Sequence, residues 1–172
     1  MSELPDGPGL AAAIDRLDYS EFSVLPEYID ANGHMNVGYY GVIFDRASDL
    51  PCRHLGIGWD MIERLNLSIF TLETHLTFQH EIMEGQPLSL GFRLLDFDAK
   101  RVHMFMTMHH RTEGWHAATY ESINMCINMK TRRAGSWPAD VMARLAAVHA
   151  EHGKLPVPAE VGRTVGIRRK QA

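Results

Sequence analysis

The stretch Asp30-Ala31-Asn32-Gly33-His34-Met35-Asn36-Val37-Gly38-Tyr39-Tyr40 joins a polar turn to the start of a helix. An Asn-Gly pair readily adopts positive φ, so Asn32 and Gly33 predict a tight turn. Asn36 is the predicted N-cap, because its side chain can accept a hydrogen bond from an N–H of the first helical turn. The stretch therefore predicts that the chain reverses and enters a helix at Val37.

A long helix is predicted downstream of this turn. Apolar residues recur at the spacing of one helical face: Val37, Tyr40, Phe44 and Ala47. Pro51 cannot donate a hydrogen bond to the carbonyl of Ala47, so the helix is predicted to end or kink near Leu50. Gly38 and Gly41 each cost about 1 kcal/mol relative to alanine inside a helix. Either close packing against a sheet or room for a thin ligand would offset this cost.

The hydrophobic pattern then changes to period two, which is typical of half-buried strands. It predicts four long strands over residues 69–82, 88–97, 101–111 and 117–130. A short strand at 22–26, a helical connector at 59–65 and a last helix, capped by Ser136 and ended by Gly153, complete the pattern. One helix cannot cover both faces of such a sheet. The sequence therefore predicts an α+β fold in which an antiparallel sheet wraps around one long central helix.

Length and composition indicate one globular domain. The chain has 172 residues, of which 45% are hydrophobic and 22% charged, and its net charge is −4. We expect a flexible lead-in over 1–20, the domain over 21–153 and a tail over 154–172. A net negative charge argues against nucleic-acid binding. No secretory signal or membrane span is evident, so a cytoplasmic protein with two reduced, buried cysteines is expected.

The residues before the long helix also suggest acyl chemistry. Free N–H groups of a first helical turn can stabilise a developing oxyanion. Asp30 could act on a carbonyl held there as a general base or as a nucleophile. Asp30 and Asn32 could equally be ordinary turn and capping residues, because both residue types are common in turns. From the residues alone, the stretch is consistent with a catalytic site and with a purely structural turn.

The pattern Asp-x-Asn-Gly-His-Met-Asn, followed by a tyrosine-containing helix, resembles the opening motif of hotdog-fold thioesterases of the 4-hydroxybenzoyl-CoA thioesterase type. Residues 70–81 and 95–103 are similar to the sheet region of betainyl-CoA thioesterases, and the resemblance covers about residues 22–135. It implies an acyl-CoA thioesterase that needs no cofactor and no metal. Asp30 matches the carboxylate that attacks the thioester or activates water, and the Val37 amide matches the donor to its carbonyl. His34 and Asn36 match orienting and hydrogen-bonding residues of the catalytic group.

The resemblance also implies a homodimer with shared active sites, and tetramers are possible. Glu73 or His75 would then face Asp30 across the dimer. A betainyl group would need an aromatic or acidic wall, because quaternary ammonium groups bind over aromatic faces. The predicted substrate-binding residues are Gly33, Val37, Tyr40, Trp59, Glu73 and His75. Arg132 and Arg133 are the predicted partners of the coenzyme A phosphates, with a second basic cluster at 168–170.

The residues leave three alternatives to compare with this interpretation: a metal site, an enoyl-CoA hydratase and a non-catalytic binding subunit. The histidines at 103, 109, 110 and 116 show no compact set of three metal ligands. Hotdog enoyl-CoA hydratases carry Asp-x-Asn-Pro-x-His, whereas here Gly33 replaces the proline and His34 follows Asp30 after four residues instead of five. A non-catalytic acyl-CoA-binding subunit also remains open, since a fold does not fix a function.

Overall fold

The period-two segments pair into one antiparallel sheet. A computed structural model describes residues 8–167. The strands are β1 (Leu67–Phe78), β2 (Leu88–Phe97), β3 (Arg101–His110), β4 (His116–Asn128) and β5 (Arg133–Ala134). The sheet has the order β1-β4-β3-β2, with β5 added beside β4. The four long strands agree with the predicted boundaries to within four residues, and the α+β class is confirmed.

Four helices accompany the sheet in the described part of the chain. They are α1 (Pro8–Ile14), α2 (Val37–Leu55), α3 (Asp60–Leu65) and α4 (Ala139–His152), and a 3-10 turn spans Pro26–Tyr28. No helix within residues 8–167 combines the length and the apolar composition needed to cross a membrane. Cys52 and Cys126 are buried and unpaired, as expected.

The long helix α2 packs on one face of the sheet, called here the inner face. The fully buried ring of Phe44 stacks on Tyr120 of β4, with ring centroids 5.3 Å apart. Tyr40, in the first turns, meets Phe78 of β1 edge-on at 5.0 Å. Burying one such aromatic side chain contributes about 1.5–3 kcal/mol. These contacts place the N-terminus of α2 beside the C-terminal end of β1.

The predicted end of this helix near Leu50 is wrong. The helix continues through Pro51 to Leu55 and ends at Gly56, which adopts a φ of +79°. An internal proline costs about 3 kcal/mol through the lost hydrogen bond and steric conflict. Pro51 and Leu55 are both buried, so packing of the last turn against the core offsets that cost.

The expected flexible lead-in is wrong for residues 8–20. α1 packs against α4, and Leu10 and Ile14 are completely buried. These two residues lie four positions apart, so they share one face of the short helix. The glycines and prolines around them obscured this pattern. Residues 1–7 lie outside the described part of the chain.

Two shorter predictions are also wrong. No regular strand forms at 22–26 in the structure of residues 8–167, where a single bridge joins Ser23 to Pro87. α4 is not capped by Ser136, because Pro138 occupies the N-cap position and no side chain bonds there. Gly153 ends α4 as predicted.

The chain after α4 crosses the sheet on the face away from α2, called here the outer face. The guanidinium of Arg93 donates hydrogen bonds to the carbonyls of His152, Leu155 and Pro156. Further along, the Gly162 amide donates to Glu121 of β4 at 2.8 Å. This segment therefore covers part of the outer face up to residue 167.

Candidate active site

The motif around Asp30 folds into a tight turn closed by backbone hydrogen bonds. The Asp30 amide donates to the carbonyl of His34 and the Gly33 amide to the carbonyl of Asp30, both at 3.0 Å. Gly33 adopts a φ of +83°, which side chains disfavour. Asp30 Oδ1 accepts the Asn32 amide at 2.8 Å. Asp30 therefore has a structural role in the turn, which engages one of its two carboxylate oxygens.

The turn delivers the chain to the first turn of α2 with one amide left unpaired. Asn36 Oδ1 accepts the Gly38 amide at 3.0 Å, and the Tyr39 amide donates to the Asn36 carbonyl. The predicted N-cap is thus confirmed. The Val37 amide has no acceptor among residues 8–167, and the Val37 side chain is 60% exposed. An unpaired N–H at the positive end of a 19-residue helix is a ready donor for an anionic oxygen.

A cavity of about 250 Å³ opens at this helix end. It lies where the N-terminus of α2 meets the C-terminal end of β1. Its volume is below the range of drug-sized ligand pockets, which suits a small acyl group. The lining residues are His34, Met35, Val37, Tyr40, Phe78, Gln79, His80 and Glu81.

The space beside the first turn of α2 is open on the helix side as well. A Cβ atom at Gly38 would meet only Asn36 Oδ1, at 3.4 Å, and one at Gly41 would lie 4.0 Å from Leu76. Close packing against the sheet therefore does not require these glycines.

The polar groups of the cavity are partly fixed by the backbone. Nδ1 of His34 lies 3.2 Å from the carbonyl of Met35, and Nδ1 of His80 lies 2.7 Å from the carbonyl of His116. A carbonyl accepts, so each Nδ1 carries the hydrogen, and Nε2 is the basic nitrogen of the neutral ring. Burial raises the pKa of Tyr40 above its ordinary value of 10.0, so its phenol is neutral at pH 7.

The profile of the thioesterase-like superfamily matches residues 24–145. The chain belongs to this superfamily. It is 34% identical to the betainyl-CoA thioesterase of Pseudomonas aeruginosa over 147 residues, which cover 86% of this chain and 92% of that protein. The L-carnitine dehydrogenase/betainyl-CoA thioesterase of Rhizobium meliloti is also 34% identical, over 83% of this chain and 28% of that protein.

Solved structures agree with this assignment. A Staphylococcus aureus protein solved in complex with CoA superimposes with a TM-score of 0.79 at 29% identity, covering 86% of this chain and 92% of that one. The hotdog fold and the thioester hydrolase class predicted from the sequence are confirmed.

The structure of this thioesterase brings only some of the predicted site residues together. His34, Val37 and Tyr40 line the cavity. Asp30, Gly33 and Asn36 form the adjoining turn and cap without lining it. The Asp30 amide donates to the His34 carbonyl, so the Asp30 backbone lies directly beside that of a lining residue.

Trp59 is separated from the cavity of its own protomer. Its indole N–H donates to Asp49 Oδ1 at 2.9 Å, and its side chain is 69% exposed. Asp49 lies 12 residues after Val37 in α2, which corresponds to about 18 Å along the helix axis. The thioesterase therefore places this tryptophan near the far end of α2.

Glu73 and His75 do not line the cavity of their own protomer, and their predicted position facing Asp30 across a dimer stays a prediction. They pair with Ile123 and Glu121 of β4 on the outer face, where Glu121 also bonds His103 at 2.8 Å. A β-bulge between Thr71 and Glu73 inserts one extra residue into β1. A one-residue insertion reverses which alternate side chains face the helix.

Arg132 and Arg133 lie at the opposite end of the sheet from the cavity. Both are exposed, and the Arg132 guanidinium sits 5.2 Å from the centre of the Phe70 ring. They follow Asn128, which pairs with Leu67 at the start of β1, whereas Phe78 at its end lines the cavity. Eleven strand steps separate those two ends, or about 36 Å. The basic cluster at 168–170 lies outside the described residues.

Sequence reasoning missed five lining residues of this thioesterase. One is Met35, and the other four are consecutive in sequence: Phe78, Gln79, His80 and Glu81. These four were read as the tail of a strand over 69–82, but β1 ends at Phe78. The amides of Gln79 and His80 both donate to the carbonyl of Ala117, which bends the chain out of the ladder. The available signal was the polar run Gln79-His80-Glu81, which breaks the alternation.

Proposed function

We propose that this thioesterase hydrolyses a small acyl-CoA ester, with betainyl-CoA as its preferred substrate, in the cavity at the N-terminus of α2. Two relatives named for betainyl-CoA thioesterase activity, each 34% identical, support the substrate class. The structural neighbour solved with CoA supports the coenzyme. A cavity of about 250 Å³ has room for the acyl end, while the rest of the coenzyme extends outward.

The observation that carries this proposal is the unpaired Val37 amide at the mouth of α2. In thioester hydrolysis the carbonyl oxygen becomes an oxyanion when the acyl carbon is attacked. A preorganised N–H, reinforced by the helix dipole, stabilises that charge more strongly in the transition state than in the ground state. The Val37 amide is free of any acceptor among residues 8–167, so no internal bond has to break first.

Asp30 is the proposed base. Its carboxylate takes a proton from water while the water oxygen bonds to the acyl carbon and the carbonyl electrons move to the oxygen held at Val37. The tetrahedral intermediate then collapses, the carbon–sulfur bond breaks, and the coenzyme A thiolate takes up the proton. Direct attack by Asp30 would instead form an anhydride that water cleaves. Both routes need the ionised carboxylate, of which one oxygen is engaged by the Asn32 amide.

A single substitution tests the role of the helix mouth. Val37→Pro removes the amide hydrogen at the first helical position, where proline is well tolerated. Asn36 has φ −62° and ψ 142°, a conformation that the residue before a proline readily adopts. We expect a loss of about 10²–10³ in kcat in a thiol-release assay with betainyl-CoA.

Val37→Ala is the matched control, because it shortens the exposed side chain and keeps the amide. It should retain most of the activity, and both variants should keep the circular dichroism spectrum of the wild type. Wild-type turnover in a folded Val37→Pro variant would contradict the assignment of the oxyanion donor.

We also propose that the active form is a homodimer formed through the free edge of β1. The opposite edge strand, β2, is covered by α4: His152 Nδ1 accepts the Leu94 amide and His149 bonds the Leu95 carbonyl. β1 pairs with β4 alone within residues 8–167, and it exposes Phe70, Leu72 and Phe78. A long, apolar, uncovered edge is a template for pairing with another strand.

This dimer would complete the site for coenzyme A. Two-fold pairing of β1 with a second β1 is antiparallel, so the Leu67 end of one strand lies towards the Phe78 end of the other. Arg132, Arg133 and Trp59 of a second copy would then approach the helix mouth from which they are remote in one protomer. Arginine forks suit the phosphates of the coenzyme.

A further inference from the structure

The cavity at the mouth of α2 contains one carboxylate, that of Glu81. The other seven lining residues are apolar, aromatic, amide or imidazole side chains. Glu81 forms no salt bridge and no side-chain hydrogen bond among residues 8–167. An anionic group on the wall of a small cavity, without a partner from the protein, is available to a cationic ligand.

Aromatic rings stand on the same wall. Tyr40 and Phe78 pack edge to face, and Phe78 keeps 47% of its surface exposed. The negative charge of Glu81 is felt at the Tyr40 phenol, where it adds to burial in disfavouring the phenolate. Tyr40, Phe78 and Glu81 all line the same cavity, so the carboxylate and the two rings border a common space.

This combination matches one chemical class of acyl group. A quaternary ammonium has no N–H to donate, so it is held by aromatic faces and by a nearby negative charge and not by directed hydrogen bonds. A neutral acyl group of equal shape would gain contact with the rings but nothing from the carboxylate. Glu73, an acidic residue predicted from the sequence to bind substrate, lies on the outer face and does not line this cavity in its own protomer.

We propose that Glu81 is the specificity-determining residue of this thioesterase, and that it selects acyl groups carrying a fixed positive charge in contact with Tyr40 and Phe78. The inference rests on the proposed function, because it assumes that the acyl end of the substrate occupies this cavity. It concerns only the choice of substrate. The proposed roles of Asp30 as the base and of the Val37 amide as the oxyanion donor are unchanged.

Two substrates of the same shape test it. Betainyl-CoA and 3,3-dimethylbutyryl-CoA differ only in a quaternary nitrogen replacing a quaternary carbon. We expect the wild type to favour betainyl-CoA in kcat/KM. Glu81→Gln should lower kcat/KM for betainyl-CoA by about tenfold and leave the neutral ester within about twofold. Glu81→Asp, which keeps the charge, should restore part of the preference.

Glu84→Gln is the matched control, because Glu84 is an exposed carboxylate three residues further on that does not line the cavity. It should leave the ratio of the two substrates unchanged. An unchanged ratio in Glu81→Gln, or a wild type that hydrolyses both esters equally well, would overturn the inference while leaving the thioesterase function intact. If neither ester released thiol with the wild type, the proposed function itself would fail, and this inference with it.

Discussion

The catalytic role that we propose for Asp30 can be separated from its structural role in the turn, because the structure shows which carboxylate oxygen the turn uses. Asp30 Oδ1 accepts the Asn32 amide at 2.8 Å. In Asp30→Asn the side-chain oxygen can accept the same amide, so the turn is kept while the charge is removed. In Asp30→Ala both the hydrogen bond and the charge are lost.

The two variants therefore differ in stability. Losing this solvent-exposed hydrogen bond costs at most about 1 kcal/mol. For a domain of this size that corresponds to a Tm lower by about 2–4 °C. We expect this decrease in Asp30→Ala, and a Tm close to the wild-type value in Asp30→Asn, both measured by calorimetry.

Their activities, in contrast, should fall together. An amide cannot take a proton from water or attack an acyl carbon, and general-base catalysis contributes about 10²–10⁴ in rate. Thiol release from betainyl-CoA should therefore drop by this factor in both variants. Single-turnover measurements would confirm that the loss is in the chemical step.

The result that refutes this reasoning is specific. If Asp30→Asn keeps its fold and turns over within about threefold of the wild type, Asp30 is only a turn residue. If Asp30→Ala is impaired and Asp30→Asn is not, the activity follows the hydrogen bond to Asn32 and the carboxylate has no chemical role.

Two further predictions concern assembly and pH. Leu72 lies on the open edge of β1 and is 53% exposed, so Leu72→Glu should convert the proposed dimer to monomers in light scattering and abolish activity. Leu155→Glu, at an exposed position on the tail, should do neither. A dimeric Leu72→Glu variant would exclude this interface. Burial holds the pKa of His152 in the folded protein below its ordinary value of 6.5. The unfolded chain therefore binds this proton first as the pH falls. The free energy of unfolding should decrease as the pH drops through 6.5 and should level off below the folded-state pKa. The decrease in Tm between pH 7.5 and 5.5 should be smaller in His152→Gln than in the wild type. Burial also lowers the pKa of His109, which accounts for part of the decrease that remains in the variant. An equal decrease in the wild type and the variant would contradict this prediction.

Much of the fold could be read from short-range signals. The start of α2 follows from Asn36, whose cap bond joins residues two apart in sequence. The strands β2 and β3 follow from alternation along a few neighbouring residues. Each of these signals comes from residues close together in the sequence, so these elements can be predicted without knowing their distant partners.

The sheet face on which Glu73 and His75 lie depends on a distant partner strand. Without the bulge before Glu73, the inner-face series that includes Thr71 would have continued through Glu73 and His75. The bulge belongs to the pairing of β1 with β4, some fifty residues later in the chain. Likewise, Pro51 stays helical because the core covers it.

The sequence by itself determined the class of fold, the turn and capped helix at Asp30–Val37, and the family to which the chain belongs. Tertiary structure alone decided which side chains share the cavity, and it placed Glu81 there and Glu73 on the other face. The physical reason is range: capping and periodicity are properties of neighbouring residues, whereas strand register and burial are fixed only when segments far apart in the chain pack together.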